Sequence, residues 1–383
     1  MKAQGERTTD LEEVRPRPRR SDGLLTTGAE SPAGLACRRP RHRGLLLGTG
    51  LVAVVVALVL GIAWGSFAVP PDTIAAMLWR RLVGDTTSAP WPKAWETVVF
   101  DIRLPRILLS ALVGAALAQT GAVYQGLFRN PLADPYLVGV SAGAGLGATV
   151  AIAFGLSMRW GGLGAVSLLA FAGGLAATAL VYALSRAGGR SSVVTLILAG
   201  VAVGAFLSAV TTFLMFNAQD AFHTVHALGW LMGSFALASW TKVYLLAPVL
   251  VVSGGLLWAY AHRLNVLQLD DEQAQQLGVP VERTRVVLIV ISTLVTSSAV
   301  SVSGVIGFVG LIVPHAVRLV WGPDHRFLVP MGALLGALFM ILADGVARTV
   351  LSPVELPVGV VTAFCGAPFF MYLLRQRRHS LVY

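Results

Sequence analysis

The chain has 383 residues, 55% of them hydrophobic and 13% charged, with a net charge of +10 and a mean hydropathy of +0.73. A soluble domain carries about 25% charged residues, so this little polar surface cannot cover so apolar a core, and an ordinary soluble enzyme is excluded. Nucleic acid is not the partner for the positive charge, because the basic residues sit in tails and short loops and form no basic helix face or aromatic-interleaved patch; a lipid bilayer explains them.

Residues 1–43 are rich in Arg and Pro and are expected to be a disordered, basic, cytoplasmic tail. Arg38, Arg39, Arg41 and Arg43 stand directly before the apolar run 44–69. That run is too long for the core of a signal peptide, so it reads as an anchor with its N-terminus in the cytoplasm. Cys37 lies in the tail and Cys365 in a later apolar run, too few for a disulfide framework and with no metal-ligand spacing.

Further uncharged stretches follow at 107–128, 135–158, 160–185, 191–219, 243–262, 286–317, 327–343 and 356–374. A helix needs about 20 apolar residues to cross the hydrocarbon core. The stretch 286–317 is long for one crossing, and basic residues flank it on both sides (Arg263, Arg283, Arg285; Arg318, Arg326). An even number of crossings is required there, with the break at 301–308, where Gly304 and Gly307 weaken a continuous helix. The expectation is an all-α, polytopic membrane protein of about ten transmembrane helices, occupying 44–378, with a short C-terminal tail 379–383. Arg375, Arg377 and Arg378 put that end in the cytoplasm with the first. Arg103, Arg106 and Arg348 break the charge rule, for they fall on the outer side.

Between the second and third runs stands RNPLADP, 129–135. Pro131 and Pro135 disfavour helix at Asn130 and Asp134 and force a reversal, while Arg129 suits the inner interface. Pairs of small residues four apart, Gly139/Gly143, Gly143/Gly147, Gly200/Gly204 and Gly332/Gly336, suit close helix packing in lipid. Outside, in 217–230, His223 and His226 share a helical face. They could ligate haem iron or a metal, but with no third ligand nearby an interfacial helix is the simpler account. The inner stretch 264–285 reads as two short helices: Asp270 as cap with Gln273 in capping-box position, Asp271 and Glu272 in the first turn, Ala274 and Leu277 on one face, Gly278 as stop, and Pro280 opening the second. Pattern alone leaves it open between a solvated hairpin and a docking knob. Asp344 and Arg348 form an i, i+4 pair. The lysines are Lys2, Lys93 and Lys242, none followed by Ser or Thr, so no Walker A sequence exists and any ATP must be hydrolysed by another chain.

Several of these segments together resemble the FecCD family, the permease subunits of bacterial importers for iron-siderophores, haem and cobalamin. They are RLPR at 103–106, GAALAQTGAVYQGLFRNPLADPYLVGVSAGAGLGA at 114–148, QQLGV at 275–279, GVIGFVGLIVPHAVRL at 304–319 and ELPVGVVTAFCGAPFF at 355–370. The resemblance implies the type II ABC importer permease fold in the cytoplasmic (inner) membrane. It implies a second permease subunit, expected to be another copy of this chain, two cytoplasmic ATPase subunits and an extracytoplasmic substrate-binding protein, with no cofactor and no catalysis on this chain. By matching position it makes Asp270, Asp271, Glu272, Gln273, Ala274, Leu277 and Gly278 ATPase-coupling residues. It makes Arg103, Arg106 and Arg348 binding-protein docking residues, and Ser192, Val193 and Val194 a cytoplasmic gate, here mostly apolar. The cargo expected is a large metal chelate, ferric siderophore or haem, with cobalamin as the alternative. An ATP-independent secondary carrier is the competing class; it suits ten spans but lacks the mid-membrane ionisable residues that ion coupling uses.

Overall fold

Lipid offers no partner to an open backbone group, so a chain this apolar must close its hydrogen bonds within helices, and it does. The structure, a computed structural model, describes residues 42–65, 69–84, 90–186, 192–218 and 220–380. Most of the basic tail 1–43, and residues 381–383, lie outside the described residues. In chain order the helices are α1 (Arg43–Ala63), α2 (Pro71–Val83), α3 (Lys93–Glu96), α4 (Leu104–Leu127), α5 (Val140–Ala153), α6 (Ala165–Ser185) and α7 (Val193–Phe216). They continue with α8 (Ala221–Leu231), α9 (Trp240–Val266), α10 (Asp271–Gln276), α11 (Val281–Ser303), α12 (Val309–Trp321), α13 (His325–Thr349) and α14 (Val358–Ser380). A two-residue hairpin, Arg159–Trp160 against Leu163–Gly164, joins α5 to α6.

Among the described residues, seven helical rods are long and apolar enough to cross a membrane, and three shorter apolar helices, Val140–Ala153, Val309–Trp321 and Val358–Tyr372, complete the expected ten. The expected break at 301–308 is present: α11 stops at Ser303, Gly304 turns with φ +73° and α12 begins at Val309. The second span is longer than its apolar run, because α3, a wider-wound turn over Thr97–Arg103, and α4 form one rod from Lys93 to Leu127. Helix α2 was not expected from hydropathy. Pro71 opens it, Asp72 sits in its first turn and Arg80 and Arg81 in its last, each charge placed as the helix dipole favours.

Helix α4 is the centre of the bundle, with α13, α9, α11 and α12 around it. Glycines set the closest approaches. A Cβ on Gly114 would stand 2.1 Å from Gly336 O, and one on Gly121 would stand 1.8 Å from Gly310 O, so α4 meets α13 and α12 backbone to backbone. Helices α5 and α6 meet likewise, Gly143 against Gly173 O at 2.2 Å. The expected small-residue pairs thus serve packing at Gly143, Gly147, Gly200 and Gly336, whereas Gly204 faces open space.

The RNPLADP reversal is built as its residues dictate. Asn130 Oδ1 accepts from Leu132 N–H and Asp134 Oδ1 from Tyr136 N–H at 2.8 Å, capping the turn Pro135–Val138. Arg129 takes the left-handed conformation, φ +50°.

Candidate functional site

Two adjoining hollows lie on one flank. The first, about 570 Å³, is walled by α5, α7 and α8 and carries Ser141, Ser208, Thr211, Thr212 and Thr224 among apolar groups. The second, about 710 Å³, lies between the 305–308 segment and α14 and is lined by Phe308, Phe364 and Met371. They share Leu231 and Val305, and no charged side chain lines either. The flank beside them is apolar and open: Phe213 and Phe216 of α7 are 65% and 86% exposed, and Phe364 of α14 is 77% exposed. Nothing in the sequence pattern singles out Leu231 and Val305; they meet only because the break at Gly304 lays Val305 beside the end of α8, where a Cβ on Gly304 would touch Trp230 O.

At one end of the bundle, which carries the start of α1 and the RNPLADP turn, the expected gate and part of the expected coupling segment come together. Ser192, Val193 and Val194 line a cleft of about 810 Å³ with Arg129, Asp271, Glu272, Glu282 and Arg285. Ser192 caps α7 in a reciprocal capping box with Thr195, and Val194 stands exposed. Asp271 accepts from Arg129 Nη2 and, at 3.2 Å, from Arg285 Nη2, while Arg129 Nε donates to Leu267 O at 2.7 Å. Burial works against the charged form of Asp271, but Arg285 and Arg129 outweigh it and hold the carboxyl below its ordinary range.

Three details of this segment differ from expectation. Asp270 is the N-cap of α10 but makes no side-chain cap bond; its carboxylate lies 3.8 Å from Arg129 Nη1 instead. Ala274 is buried and Leu277 is 63% exposed: Leu277 N–H still closes the helical bond to Gln273 O at 3.1 Å, but one turn on from Ala274 its side chain clears the core that Ala274 reaches. Pro280 opens the long α11 and no second short helix exists. Glu272, Gln273, Leu277 and Gly278 are exposed, and Gly278 provides the stop with φ +80°.

At the opposite end, the expected rim of outward arginines is instead a buried cluster. Arg103, Arg106 and Arg348 are 4%, 7% and 6% exposed. Arg106 donates to both oxygens of Asp344 (2.9 to 3.2 Å) and to Glu355 at 2.9 and 3.0 Å; Arg348 Nε lies 3.2 Å from the second Asp344 oxygen. Arg103 donates to Ile62 O at 2.9 Å, and its guanidinium occupies space that any side chain at Gly65 would fill. The physical reason is cost: a guanidinium at the end of an apolar span is retained only with carboxylates or backbone carbonyls beside it. The Asp344–Arg348 pairing read from the spacing is present.

His223 and His226 lie on α8 with Phe222 packed near both rings, 6.3 and 6.1 Å between centroids. Among the described residues no group of three His, Cys, Asp or Glu could hold a metal ion.

Comparison with known proteins agrees with this architecture. Residues 53–376 match the FecCD transport family. The chain is 50% identical over 286 residues, 75% of each chain, to the cobalamin import system permease protein BtuC of Halobacterium salinarum. It is 39% identical over 339 residues, 88% of this chain and 97% of the relative, to the hemin transport system permease protein HmuU of Yersinia pestis. Its fold superposes with a TM-score of 0.75, at 32% identity over 87% of this chain and 99% of the other, on a metal-chelate type ABC transporter in an inward-facing conformation. These matches leave the ATP-independent carrier without support. The chain is a multi-pass membrane protein that belongs to the FecCD transport family, the permeases of ABC transporters.

Proposed function

We propose that the chain is the membrane-spanning subunit of an ATP-driven importer for a bulky tetrapyrrole-type metal chelate, cobalamin first and haem second. This order reverses the expectation from sequence, which put ferric siderophore or haem before cobalamin; the siderophore is now placed third. The observation that carries this reading is the pair of uncharged hollows meeting at Leu231 and Val305 on a flank left open. Two such flanks, one from each copy of the chain in a homodimer, would enclose a wide pathway whose hydroxyls and apolar groups hold no charged cargo firmly. The relatives named for cobalamin and hemin support the cargo class.

In this reading the end with α10 faces the cytoplasm, as do both termini. An ATPase subunit docks on Glu272, Gln273, Leu277 and Gly278, and its movement reaches α4 and α11 through Asp271 with Arg129 and Arg285. Asp270 steadies Arg129, and Ala274 anchors α10 to the core. Ser192, Val193 and Val194 form the gate, an apolar constriction that closes by excluding water. The ATPase drives transport only by binding the inward- and outward-open states unequally. The substrate-binding protein docks at the other end, over the Arg103, Arg106 and Arg348 cluster, which serves as the floor of that surface.

The test is uptake by proteoliposomes holding the chain, its ATPase and its binding protein, with labelled cyanocobalamin, haem and a ferric siderophore in competition. ATP-dependent accumulation of cyanocobalamin above the others is expected. Accumulation without the ATPase, or of no chelate at all, overturns the reading.

A further inference from the structure

Helix α2 lines neither hollow nor the cleft beside α10, and the polarity of its faces is inverted. By the 3.6-residue period, Ile74 and Met77 share one side, and both are buried. Arg81 falls between them on that side, its guanidinium 4.4 Å from the centroid of the Phe100 ring. Arg80, at the edge of the same side, lies 5.4 Å from the centroid of Trp91. The other arc carries Ala75, Leu78, Trp79 and Val83, all exposed, the last three by 37%, 66% and 60%. Asp72 stands at the far end of that arc, in the first turn. A helix lying in water turns its charges outward and its apolar groups to the core. On α2 two cations turn to aromatic rings of the protein and an apolar stripe turns away, the arrangement of a helix whose outer arc meets an apolar medium.

The contacts of α2 also fix its level. Phe100, on which Arg81 rests, belongs to the wide turn Thr97–Arg103 that precedes α4. Its carbonyl accepts from the indole N–H of Trp240 at 2.9 Å. Trp240 opens the spanning helix α9 and stacks on the exposed Tyr244 one turn deeper. Tryptophan and tyrosine concentrate where hydrocarbon gives way to headgroups. Helix α1 ends at the same level: Ile62 O accepts from Arg103, at the end of the turn that holds Phe100. The exposed apolar stripe of α1, Val52, Val55, Val56 and Val59, runs out there at the exposed Trp64. The apolar arc of α2 therefore stands where the lipid-facing stripe of α1 stops, at headgroup depth.

We propose that α2 is an interfacial helix, lying in the headgroup layer of the leaflet at the arginine-cluster end, with Leu78, Trp79 and Val83 directed into the ester region of the phospholipids. Arg81, exposed beyond the Phe100 ring, stands where a lipid phosphate can accept from it. A protein that docks and leaves would return this apolar arc to water between encounters, a cost that a permanent covering of lipid avoids. The second copy is not the covering either, since the hollows through which the two copies are proposed to pair are walled by α5, α7, α8 and α14.

The test is fluorescence quenching of the full chain in phosphatidylcholine nanodiscs. A bimane label is attached at Trp79→Cys in a background of Cys37→Ser and Cys365→Ser. Val55→Cys on α1 and Asp270→Cys beside α10 serve as references for lipid and for water. One quencher is a phosphatidylcholine brominated on its acyl chains close to the ester; the other is iodide in solution. The label at Trp79→Cys is expected to be quenched by the brominated lipid about as strongly as that at Val55→Cys, and by iodide about tenfold less than that at Asp270→Cys. Labels at Leu78→Cys and Val83→Cys should follow it. If the labelled variant misfolds, the difference in tryptophan emission between wild type and Trp79→Phe is expected to be quenched by the same lipid and spared by iodide. Quenching by iodide without quenching by lipid overturns the proposal. So does iodide quenching that the binding protein relieves, which would make the arc a docking face, and so does protection from both quenchers, which would mean that protein covers it.

Discussion

Arg106 and Asp344, 238 residues apart in the chain, are bound side-on across α4 and α13 with both partners buried. Asp344 also holds Arg348, so one carboxylate pairs with two guanidiniums, and the half-exposed Glu355 supplies the second negative charge through Arg106. Removing the carboxylate of such a cluster leaves buried charge without compensation, a loss of about 3–5 kcal/mol. Asp344→Asn is therefore expected to lower the Tm of the purified chain sharply or to prevent its accumulation in the membrane. Glu355→Gln, at the exposed edge, should cost no more than about 1 kcal/mol. Equal Tm values for the two variants would show that the cluster does not hold α4 to α13.

The glycine contacts allow a paired comparison within the same fold. Gly121→Ala places a methyl group 1.8 Å from Gly310 O, where only a backbone shift could make room. Loss of folded protein is expected, as overpacking against a rigid neighbour costs about 1–3 kcal/mol or more. Gly204→Ala meets nothing within 4 Å and should be neutral or stabilising by up to about 1 kcal/mol through helix propensity. Thermal denaturation in one detergent, followed by size-exclusion chromatography, distinguishes them.

Asp324 ties the start of α1 to the start of α13. Its carboxylate accepts from Arg43, from Asn265 Nδ2 at 2.7 Å and from Arg326 N–H at 3.1 Å. Burial opposes the charged form, but these donors prevail and hold the pKa down to about 2. With the folded value below the unfolded value of about 3.9, the stabilisation is complete above about pH 4 and disappears as the pH falls towards 2. Asp324→Asn is expected to lower the Tm at pH 7 and to flatten its decline between pH 4 and 2. A mutant whose Tm falls in parallel with wild type across that window would show that this carboxylate does not carry the acid response.

The seven long rods and three shorter apolar helices among the described residues are legible in the sequence because lipid admits few alternatives: an apolar run bounded by charge must be a helix. The break at Gly304 is legible for the same reason, since both flanks of 286–317 are basic. Partners across the bundle are not legible. Topology rules count Arg103, Arg106 and Arg348 as charges on a side and are silent on Asp344 and Glu355, which reach Arg106 from 238 and 249 residues away. Helix α2 is hidden because Pro70 and Pro71 read as loop punctuation and its apolar content is modest. Ala274 and Leu277 mislead because helical spacing does not say how far along α10 the core extends: Ala274 meets it and Leu277 does not. Leu231 and Val305 have no distinguishing neighbours in sequence; their meaning comes from the space beside them.

Arg129 is held in a conformation that costs an L-residue about 1 kcal/mol or more, yet glycine, which would adopt φ +50° freely, is not there. The side chain supplies the reason: Nε bonds Leu267 O, and Nη2 bonds Asp271 on α10, linking the end of α4 to the helix proposed to receive the ATPase. Arg129→Gly separates the two effects, easing the backbone while deleting the link. Its Tm is expected to equal or exceed that of wild type. If the link carries motion, ATP hydrolysis by the docked partner should persist while chelate uptake per ATP falls. The pair is half-exposed, so about 1 kcal/mol of coupling is at stake, roughly fivefold in that ratio. Arg129→Lys, which keeps a charge near Asp271 but cannot form both bonds at once, should fall between them. A normal ratio of uptake to hydrolysis in Arg129→Gly would place the transmission elsewhere, with Arg285 as the remaining bond between Asp271 and α11.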